Sequence, residues 1–498
     1  MQPLARESSI GHIAPPVSPP AIWEEICGHI EGLALASTLA VLHARGVLRR
    51  LAGGAALPAT ALLGEAAPGF ALVALRLAAR LGWVEAESFP LGPGTRFRLT
   101  DEGLSALPLL PVHGMLAAGD PAAAATVLDA VAARVPASLA RQVRRHLAGH
   151  VLAAPLLRLH DAAAESAAPC PDALPGQVVA ALRDLGWAGP DGALTPAGSF
   201  ALRCAPQYRH VLCYGPLLGA VPSLLAGGAA PRAVEHAAQE THLDRDADIR
   251  FSGDVYRRTC ALAAASIART ALAAGIRPRA IVDLGAGDGS MLVHLHGVLA
   301  PELPGLVAVA LDPSAVARAC AAERLATAGI PHRVLAGDIA EPAAVGAALH
   351  ATGLDPRQVL FATKSVLHDR ALGRRAASGR AGRSEGAFAD AAGGFVPAQV
   401  VEADLVDCLA GWREVMGPAG MLVIEAHTAP LRDPLPLASR GIVAALEATH
   451  GYSSQYLLEP AIHLACCEEA GLRSAASQAI GEAAFGFAPL TLTWLRPG

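Results

Sequence analysis

The chain has 498 residues, a formal net charge of -5 and a mean hydropathy of +0.39. This length allows two or three domains, each with a full hydrophobic core. The slightly acidic balance excludes a global electrostatic attraction to nucleic acid or to anionic membranes, so neither is expected as a partner. The positive hydropathy is attributed to alanine and not to membrane-spanning segments. Apolar stretches such as 32–44 and 217–230 are short or interrupted. They fall below the roughly 18–20 residues of a membrane-spanning helix.

The N-terminal segment and the cysteines indicate the compartment. Residues 1–20 are rich in Pro and Ser and lack the basic start and apolar core of a secretory signal. The nine cysteines include no Cys-x-x-Cys pair, and only Cys466 and Cys467 are adjacent. They are expected to be buried free thiols in a reducing cytosol. The sequence therefore predicts a cytoplasmic protein.

Two stretches in the first 250 residues, 71–107 and 178–202, share one layout. Each runs from a helical pattern through Leu-Gly-Trp into a short turn and then a Thr-x-x-Gly helix start. The copies of these motifs lie at 81–83 and 100–103, and at 185–187 and 195–198. Helix, Gly cap, aromatic strand and Thr N-cap together are typical of a winged helix. The alternatives are a duplicated winged-helix-like module and a chance recurrence in an Ala/Leu-rich chain.

A winged helix raises the alternative of a DNA-binding regulator, whose recognition helix is expected to be basic. The first candidate helix holds only Arg76 and Arg80, and the second holds only Arg183. This is too little positive charge to bind phosphates well, so the modules are interpreted as a lid or a dimer arm. Pro and Gly cluster at 229–231, and a domain joint is expected between about 230 and 255. The predicted units are residues 1–120, 121–250 and 251–498.

The C-terminal half alternates apolar strand candidates with helical patterns, which predicts a parallel α/β sheet. A helix is predicted over 256–274, ahead of the first strand. The predicted strands are 281–284, 307–311, 333–336, 359–362 and 421–424, with a closing antiparallel pair near 473–480 and 490–495.

The most informative motif is Asp-Leu-Gly-Ala-Gly-Asp-Gly at 283–289, which follows the first strand. Gly285 and Gly287 have no Cβ atoms that would keep a bound cofactor away from the backbone. The helix that starts near Ser290 offers free N–H groups to an anionic group. Dinucleotide-binding enzymes use a related Gly-x-Gly-x-x-Gly loop, but its third glycine would fall at position 290, which is serine.

Two acidic residues after the next strands sharpen this prediction. Asp312 ends the second strand, where a carboxylate can accept both hydroxyls of a ribose. Asp338, followed by Ile339, comes after the third strand, where an acidic side chain can meet an adenine amino group. Glycine loop, ribose acid and adenine acid in this order resemble the class I S-adenosylmethionine (SAM) methyltransferases. The resemblance implies a Rossmann-like, seven-stranded, doubly wound core in which Asp283 and the glycine loop also hold SAM.

Four further motifs narrow the resemblance. They are Leu-His-Asp-Arg at 367–370, Gly-Ala-Phe-Ala at 386–389, Glu-Ala-His-Thr at 425–428 and Ala-Thr-His-Gly-Tyr-Ser-x-Gln-Tyr at 448–456. In this order they resemble the loading-module C-methyltransferase domains of apratoxin- and saxitoxin-type polyketide synthases. The match covers 281 to the end well and the N-terminal half loosely. It implies methylation of the α-carbon of a malonyl unit carried on an acyl carrier protein. No carrier-type Asp-Ser-Leu follows, so a free-standing enzyme or an excised domain is expected.

The resemblance also implies a mononuclear iron or manganese centre, since a divalent ion chelated by both carbonyl groups stabilises the enolate of a malonyl thioester. His450 and Gln455, five residues apart, are the expected metal ligands. His427 lies just past a strand end, where open α/β sheets place ligands, and is expected to be a ligand or the general base. His368 is expected either to be the base or to pack beside SAM, as in plant-type O-methyltransferases. Glu425 is expected to satisfy a backbone group or to position His427.

Other interpretations of these residues and of the whole chain remain open. Among 18 histidines, a lone one is usually a surface or core residue. The arginines of the 371–394 insert form either a solvated loop or a site that docks an acidic carrier protein or grips the malonyl carboxylate. These residues are Arg374, Arg375, Arg380 and Arg383. The alternative functions are a small-molecule O-methyltransferase without a metal, with His368 or His427 as base, and a non-catalytic regulator that binds SAM.

Overall fold

The computed structural model describes residues 19–165, 174–228, 241–373, 381–482 and 487–498. The N-terminal half is mainly helical and also contains a small antiparallel sheet of three strands in the order β1-β3-β2. Its strands are β1 (Leu57–Pro58), β2 (Val84–Ala86) and β3 (Arg96–Leu99). Its helices are α1 (Pro19–Ala44), α2 (Val47–Leu51), α3 (Ala59–Leu63), α4 (Pro68–Arg80), α5 (Asp101–Ala106), α6 (Leu110–Ala117), α7 (Pro121–Ala132), α8 (Ala137–Glu165), α9 (Gly176–Asp184), α10 (Pro196–Cys204), α11 (Tyr208–Cys213) and α12 (Gly215–Leu225).

The long helix α1 forms the centre of this half. Ile26, Leu35 and Leu39 on α1 are fully buried and belong to the N-terminal hydrophobic core. By length and composition, an 18-residue window of α1 is apolar enough to cross a membrane. No uninterrupted apolar run fills this window, so the sequence analysis did not identify it. However, 78% of that window is buried inside the protein, as in the core helix of a packed domain.

The two Leu-Gly-Trp stretches have the same local geometry. In the first, Thr100 N–H donates to the Trp83 carbonyl at 3.2 Å, and the Thr100 hydroxyl accepts from Gly103 N–H at 2.9 Å. In the second copy, Thr195 N–H donates to the Trp187 carbonyl at 3.0 Å, and the Thr195 hydroxyl accepts from Gly198 N–H at 3.1 Å. A Cβ at either helix glycine would overlap the Trp carbonyl, so both positions need glycine. The first copy carries the three-stranded sheet, and the second pairs only Ala188 with Leu194.

The C-terminal half is built on a seven-stranded sheet in the order β11-β12-β10-β7-β4-β5-β6. Its strands are β4 (Ala280–Leu284), β5 (Val307–Leu311), β6 (His332–Leu335), β7 (Val359–Lys364), β10 (Met421–Ala426), β11 (Leu472–Ile480) and β12 (Leu490–Pro497), and a separate pair is β8 (Phe388–Ala389) with β9 (Phe395–Val396). Its helices are α13 (Arg245–Val255), α14 (Ala261–Ala273), α15 (Ser290–Leu299), α16 (Ala315–Thr327), α17 (Pro342–Ala351), α18 (Ala398–Val415), α19 (Leu437–Tyr452) and α20 (Pro460–Glu469).

The topology of this sheet confirms the predicted Rossmann-like core. Strands β6, β5, β4, β7 and β10 are parallel, and β12 and β11 close the sheet antiparallel. Every residue of β4 and β10 is buried, because helices cover both faces and apolar side chains fill both. The strand order reverses between β4 and β7, which makes their carboxyl ends the topological switch point where ligands bind.

The helix predicted over 256–274 is not a single α-helix. Tyr256–Cys260 forms a π-helical turn, and α14 begins only at Ala261. The turn joins α14 to α13, which packs against the glycine loop. A π-turn offsets the residues on either side of it, so α13 and α14 present different faces to the core.

The two halves are held together through helix α19, which comes from the C-terminal half but packs on α1 and α4. Buried polar pairs join it to the N-terminal helices along its whole length. They are Arg440 with Glu31 (2.8 Å), Glu447 with Arg76 (3.0 Å) and Arg80 (2.7 Å), and Tyr452 with Thr38 (3.0 Å). A lid that opens freely would have to break these pairs, and breaking the ion pairs would separate buried carboxylates from their guanidinium partners.

Candidate active site

The glycine loop between β4 and α15 lies at the switch point of the sheet. Gly285, Gly287 and Gly289 have φ angles of 78°, 52° and 75°, in the left-handed region that side chains disfavour. A Cβ at Gly285 would lie 2.5 Å from Val366, just after β7. The loop therefore needs glycine for its backbone angles and, at Gly285, also for space.

The predicted ribose acid lies directly against this loop. Asp312, at the end of β5, is 7% exposed, and its two carboxylate oxygens accept from Gly287 N–H at 3.1 Å and Ser314 N–H at 2.8 Å. Burial raises the pKa of Asp312, although these two N–H donors act in the opposite direction. Each oxygen has further lone pairs for the hydroxyls of a ligand in the loop.

The predicted adenine-binding residues lie at the carboxyl end of the edge strand β6. The Asp338 side chain is exposed, and one of its oxygens accepts from Ala340 N–H at 2.9 Å. Ile339 is buried, and its carbonyl accepts from the indole N–H of Trp412 at 2.8 Å. This bond fixes the backbone beside Asp338. Because β5 and β6 are parallel neighbours, Asp312 and Asp338 follow neighbouring strands, as the sequence predicted.

Two charged groups, one buried and one partly buried, lie at the ends of the neighbouring strands β4 and β7. Asp283 is 2% exposed, and among the described residues its Oδ1 has no hydrogen-bond partner. Burial, together with Asp312 and Asp288, raises the pKa of Asp283 well above its usual range. The Lys364 ammonium donates to the Ser252 hydroxyl at 2.8 Å, and burial lowers its pKa. A buried carboxylate and a partly buried ammonium at adjacent strand ends can together bind a zwitterionic amino-acid group.

Lys364 was given no role by the sequence reasoning. A lysine that ends an apolar, fully buried strand was the signal that could have identified it, since burying an ammonium is costly unless it serves a function.

Helix α13 closes over the glycine loop on the side of Asp288. Gly253 on α13 lies so close to the Asp288 carboxylate that a Cβ at this position would overlap it. Asp288 also pairs with Arg257 at 3.1 Å and with Arg324 at 2.9 Å. These contacts fix the loop against α13, and α13 in turn forms one wall of the cavity described next.

A cavity of about 1470 Å³, including the part open to solvent, lies beyond the carboxyl ends of β7 and β10. Residues of α1, α11, α13 and α19 contribute to its walls, so both halves of the chain enclose it. Apolar and aromatic side chains such as Trp23, Ile30 and Phe251 line it, and Lys364 and Ser365 extend it to the end of β7, the strand next to β4 and its glycine loop. Such an apolar cavity with a few converging polar groups is the expected form of a small-molecule site.

His368, which lines this cavity, pairs with a buried glutamate behind it. The Nδ1 of His368, in the turn after β7, contacts Glu425 Oε1 at the end of β10. Glu425 also accepts from the backbone N–H groups of Leu367 at 3.1 Å and Ala426 at 3.0 Å. Burial acts to raise the pKa of Glu425, but the adjacent His368 outweighs it and lowers the pKa to about 2. A carboxylate that orients one imidazole nitrogen leaves the other, Nε2, to act as a base in the cavity.

His450 and Gln455 line the same cavity as His368. The centroids of the His450 and His368 rings are 4.9 Å apart, and the ring planes are inclined at 62° in an edge-to-face contact. His450 Nδ1 lies 2.8 Å from the Leu446 carbonyl, an arrangement that fixes the proton on Nδ1. Gln455 N–H donates to the His450 carbonyl at 2.9 Å, so the turn that ends α19 brings the two side chains together.

His427 lies outside the cavity. Its Nδ1 is 3.1 Å from the Leu458 carbonyl, its Nε2 is 2.7 Å from the Thr491 hydroxyl, and its side chain is fully buried. Burial and the nearby His463 lower its pKa to about 3, so it is neutral at neutral pH. Both ring nitrogens are thus used within the protein, and this placement favours neither a base nor a ligand. Glu425 positions His368, not His427.

The donor types present fit a divalent ion only in part. His450 and Gln455 offer one imidazole and one amide oxygen, and the partner of His368 is Glu425. Within the described ranges, no group of three or more His, Cys, Asp or Glu side chains has the arrangement of a metal site. The described cysteines are free thiols. An ion held by His450 and Gln455 would therefore depend on the acceptor for its remaining ligands.

Most of the predicted arginine cluster lies outside the described residues, namely Arg374, Arg375 and Arg380. Arg383 is described, and it pairs with Glu402 at 2.8 Å and Glu469 at 2.8 Å. In this arrangement Arg383 stabilises the fold of its own loop.

Residues 240–483, just under half of the chain, match the model of the family described as the AprA MT2-like domain. No curated protein matches the chain. Three similar solved structures are the CurJ carbon methyltransferase (12% identity, TM-score 0.36, 65% of this chain and 79% of that chain), the pyocyanin biosynthetic protein PhzM (15%, 0.36, 65% and 83%) and the glycopeptide N-methyltransferase MtfA complexed with sinefungin (16%, 0.27, 47% and 87%). At these identities and scores, none of them indicates a substrate.

Proposed function

The chain is a class I SAM-dependent methyltransferase that resembles the methyltransferase domains of polyketide synthases, and from this premise we propose that it methylates the α-carbon of a malonyl-type acyl group. The acyl group would be a thioester on an acyl carrier protein in polyketide or related secondary metabolism. The observation that carries the proposal is His368, oriented by the buried Glu425, in the wall of a cavity that reaches the end of β7, the strand next to β4 and its glycine loop.

The donor would lie across the switch point. The glycine loop approaches its sulfonium end, Asp312 accepts from the ribose hydroxyls, and Asp338 with Ile339 borders the adenine. Asp283 and Lys364 would bind the ammonium and the carboxylate of its methionine part. The unpartnered buried oxygen of Asp283 supports this assignment, because a buried carboxylate without a donor is costly until a ligand supplies one.

In the proposed reaction, His368 Nε2 removes a proton from the α-carbon. The electron pair of the broken C–H bond is delocalised into the neighbouring carbonyl group, which gives an enolate. The α-carbon then attacks the methyl carbon of SAM, and the S–CH3 bond breaks with its electrons going to sulfur. The products are the methylated thioester and S-adenosylhomocysteine, and His368 keeps the proton until it passes to water. Glu425 stabilises the imidazolium during the step, so the proton transfer uses only the His368–Glu425 pair.

A divalent iron or manganese ion is a secondary part of the proposal. His450 and Gln455 are the residues that would hold it, and the ion would supply Lewis-acid stabilisation of the enolate. The fixed Nδ1 proton of His450 supports this role, since metal-bound imidazoles commonly donate their other N–H to a carbonyl.

O-methylation of a small hydroxylated metabolite is the second candidate. The apolar walls of the cavity favour a bulky aromatic acceptor as much as an acyl chain, and a buried His–Glu pair can equally deprotonate a hydroxyl. In this reaction no metal is needed, because the oxygen nucleophile forms directly.

Incubation with SAM and malonyl-loaded carrier protein separates these candidates. We expect a mass gain of one methyl group, or two, on the acyl chain, and none with a panel of phenols. Methylation of the phenols alone would favour the O-methyltransferase, and SAM binding without any transfer would favour a regulator. Unchanged activity and no bound metal after rigorous chelation would remove the metal from the reaction.

A further inference from the structure

Tyr214 lies at the junction of α11 and α12, in the half of the chain that the sequence interpreted as a lid. Its side chain is 4% exposed and lines the acceptor cavity together with His368 and His450. The Tyr214 and His450 rings are 6.2 Å apart, and the His450 ring is also in contact with His368. A phenol from the N-terminal half therefore faces the same cavity as the proposed base, with His450 in contact with both.

The hydroxyl of Tyr214 is held in one orientation by Gln455. The side-chain amide N–H of Gln455 donates to the phenolic oxygen at 3.3 Å. Because the oxygen acts as acceptor here, its own hydrogen remains available for a further bond, and within the described residues the hydroxyl makes no other hydrogen bond. A phenolic hydroxyl carries its proton at neutral pH and can therefore donate this further bond.

Building on the proposed function, we propose that Tyr214 donates a hydrogen bond to the acceptor carbonyl oxygen on which negative charge develops, and that Gln455 positions this hydroxyl. The chemistry requires such a donor, because removing the α-proton places negative charge on the carbonyl oxygen in a water-poor cavity. Tyr214 keeps its proton throughout, and only the strength of the hydrogen bond changes as the enolate forms. The α-proton goes to His368 and the methyl group to carbon, as described above.

The test is exchange of the α-proton, which reports enolate formation without methyl transfer. The full chain is mixed with malonyl-loaded carrier protein in D2O with S-adenosylhomocysteine, and deuterium uptake above the uncatalysed background is followed by mass spectrometry. Tyr214→Phe keeps the ring and removes only the donor. We expect exchange and kcat to fall by about 100-fold, as for other oxyanion donors, with KM and SAM affinity little changed.

Tyr208→Phe is the matched control. Tyr208 is a buried tyrosine on α11, and its hydroxyl pairs with His29 at 2.7 Å, outside the cavity. This variant loses a buried hydroxyl from the same element, so it should match Tyr214→Phe in any general loss of stability. Its exchange rate should remain that of the wild type.

Gln455→Glu distinguishes the positioning role from a metal-ligand role. A carboxylate at this position accepts the phenolic proton and withdraws it from the substrate, so we expect exchange to fall by about 10- to 100-fold without a gain in bound metal. As a metal ligand, glutamate would instead hold the ion at least as well as glutamine and keep the exchange rate.

Wild-type exchange in Tyr214→Phe, or retained exchange with more bound metal in Gln455→Glu, would overturn the proposal. Absence of both exchange and methyl transfer in the wild type would instead overturn the proposed function, and the role of Tyr214 with it.

Discussion

Glu425→Gln is the sharpest test of the histidine–glutamate pair. The substitution keeps size and shape but replaces one acceptor oxygen by an amide that donates. Glu425 accepts from two backbone N–H groups and faces His368 Nδ1, so the amide group must meet one of these donors. If it donates to Nδ1, the imidazole proton moves to Nε2, the nitrogen proposed to act as base.

The size of the effect follows from the pKa of Glu425. That pKa falls from an ordinary 4.5 to about 2 even though burial raises it. At about 1.4 kcal/mol per unit, the charged carboxylate is favoured by roughly 3 kcal/mol, an interaction largely made with His368. Losing this stabilisation of the imidazolium should lower kcat by about 100-fold or more. KM should change little, because Glu425 does not line the cavity.

Single-turnover methyl transfer across pH 6–9, measured by mass spectrometry, is the assay. Glu385→Gln is a suitable control, since this buried carboxylate accepts from Leu431 N–H at 2.8 Å and pairs with Arg432 away from His368. A Glu425→Gln enzyme with wild-type kcat, folded and binding SAM normally, would show that the pair is structural and that His368 is not the base.

Three further predictions concern binding and stability. Asp312→Asn should weaken SAM binding by about 1–3 kcal/mol in titration calorimetry, from lost charge-assisted hydrogen bonds, and an unchanged affinity would mean that the ribose lies elsewhere. Gly253→Ala should push α13 off the Asp288 carboxylate, lowering both SAM affinity and Tm; a Tm equal to that of the wild type would show that α13 adjusts freely. Arg440→Met should lower the free energy of unfolding by about 1–3 kcal/mol, because the fully buried Glu31 loses Arg440 and keeps Gln142 and His146 as partners, and chemical denaturation would show a smaller loss if water replaces the guanidinium.

The sheet and the donor loop were predictable from the sequence because their signals are local. Strands buried on both faces are runs of apolar residues, and the predicted strand ends lie within two residues of the observed ones. The glycine loop has a fixed place after β4, and Asp312 has a fixed place after β5. The π-helical turn at Tyr256–Cys260 has no such signal, since an Ala-rich periodic face fits an α-helix equally well.

The partner of Glu425 could not be predicted, because the answer depends on contacts between distant parts of the chain. Glu425 and His427 are two apart, and in a strand this spacing places side chains on the same face. However, β10 ends at Ala426, and His427 then turns toward Leu458 and Thr491. His368 reaches Glu425 because β7 and β10 are parallel neighbours, a fact that only the fold supplies.

The two halves of the chain contribute residues to the two proposed sites unequally. The residues proposed to bind SAM, from Asp283 to Lys364, come from strand ends of one sheet, so on this proposal the core alone positions SAM. The proposed acceptor cavity instead takes wall residues from α1, from α11 and from Tyr214 after it. His450 lies on α19, which the N-terminal half holds through ion pairs to Arg440 and Glu447. Changes in the N-terminal half should therefore alter the acceptor, and the rate of its activation, while leaving SAM affinity intact. The N-terminal half, which the sequence analysis interprets as a lid or a dimer arm, is therefore a structural part of the proposed acceptor site.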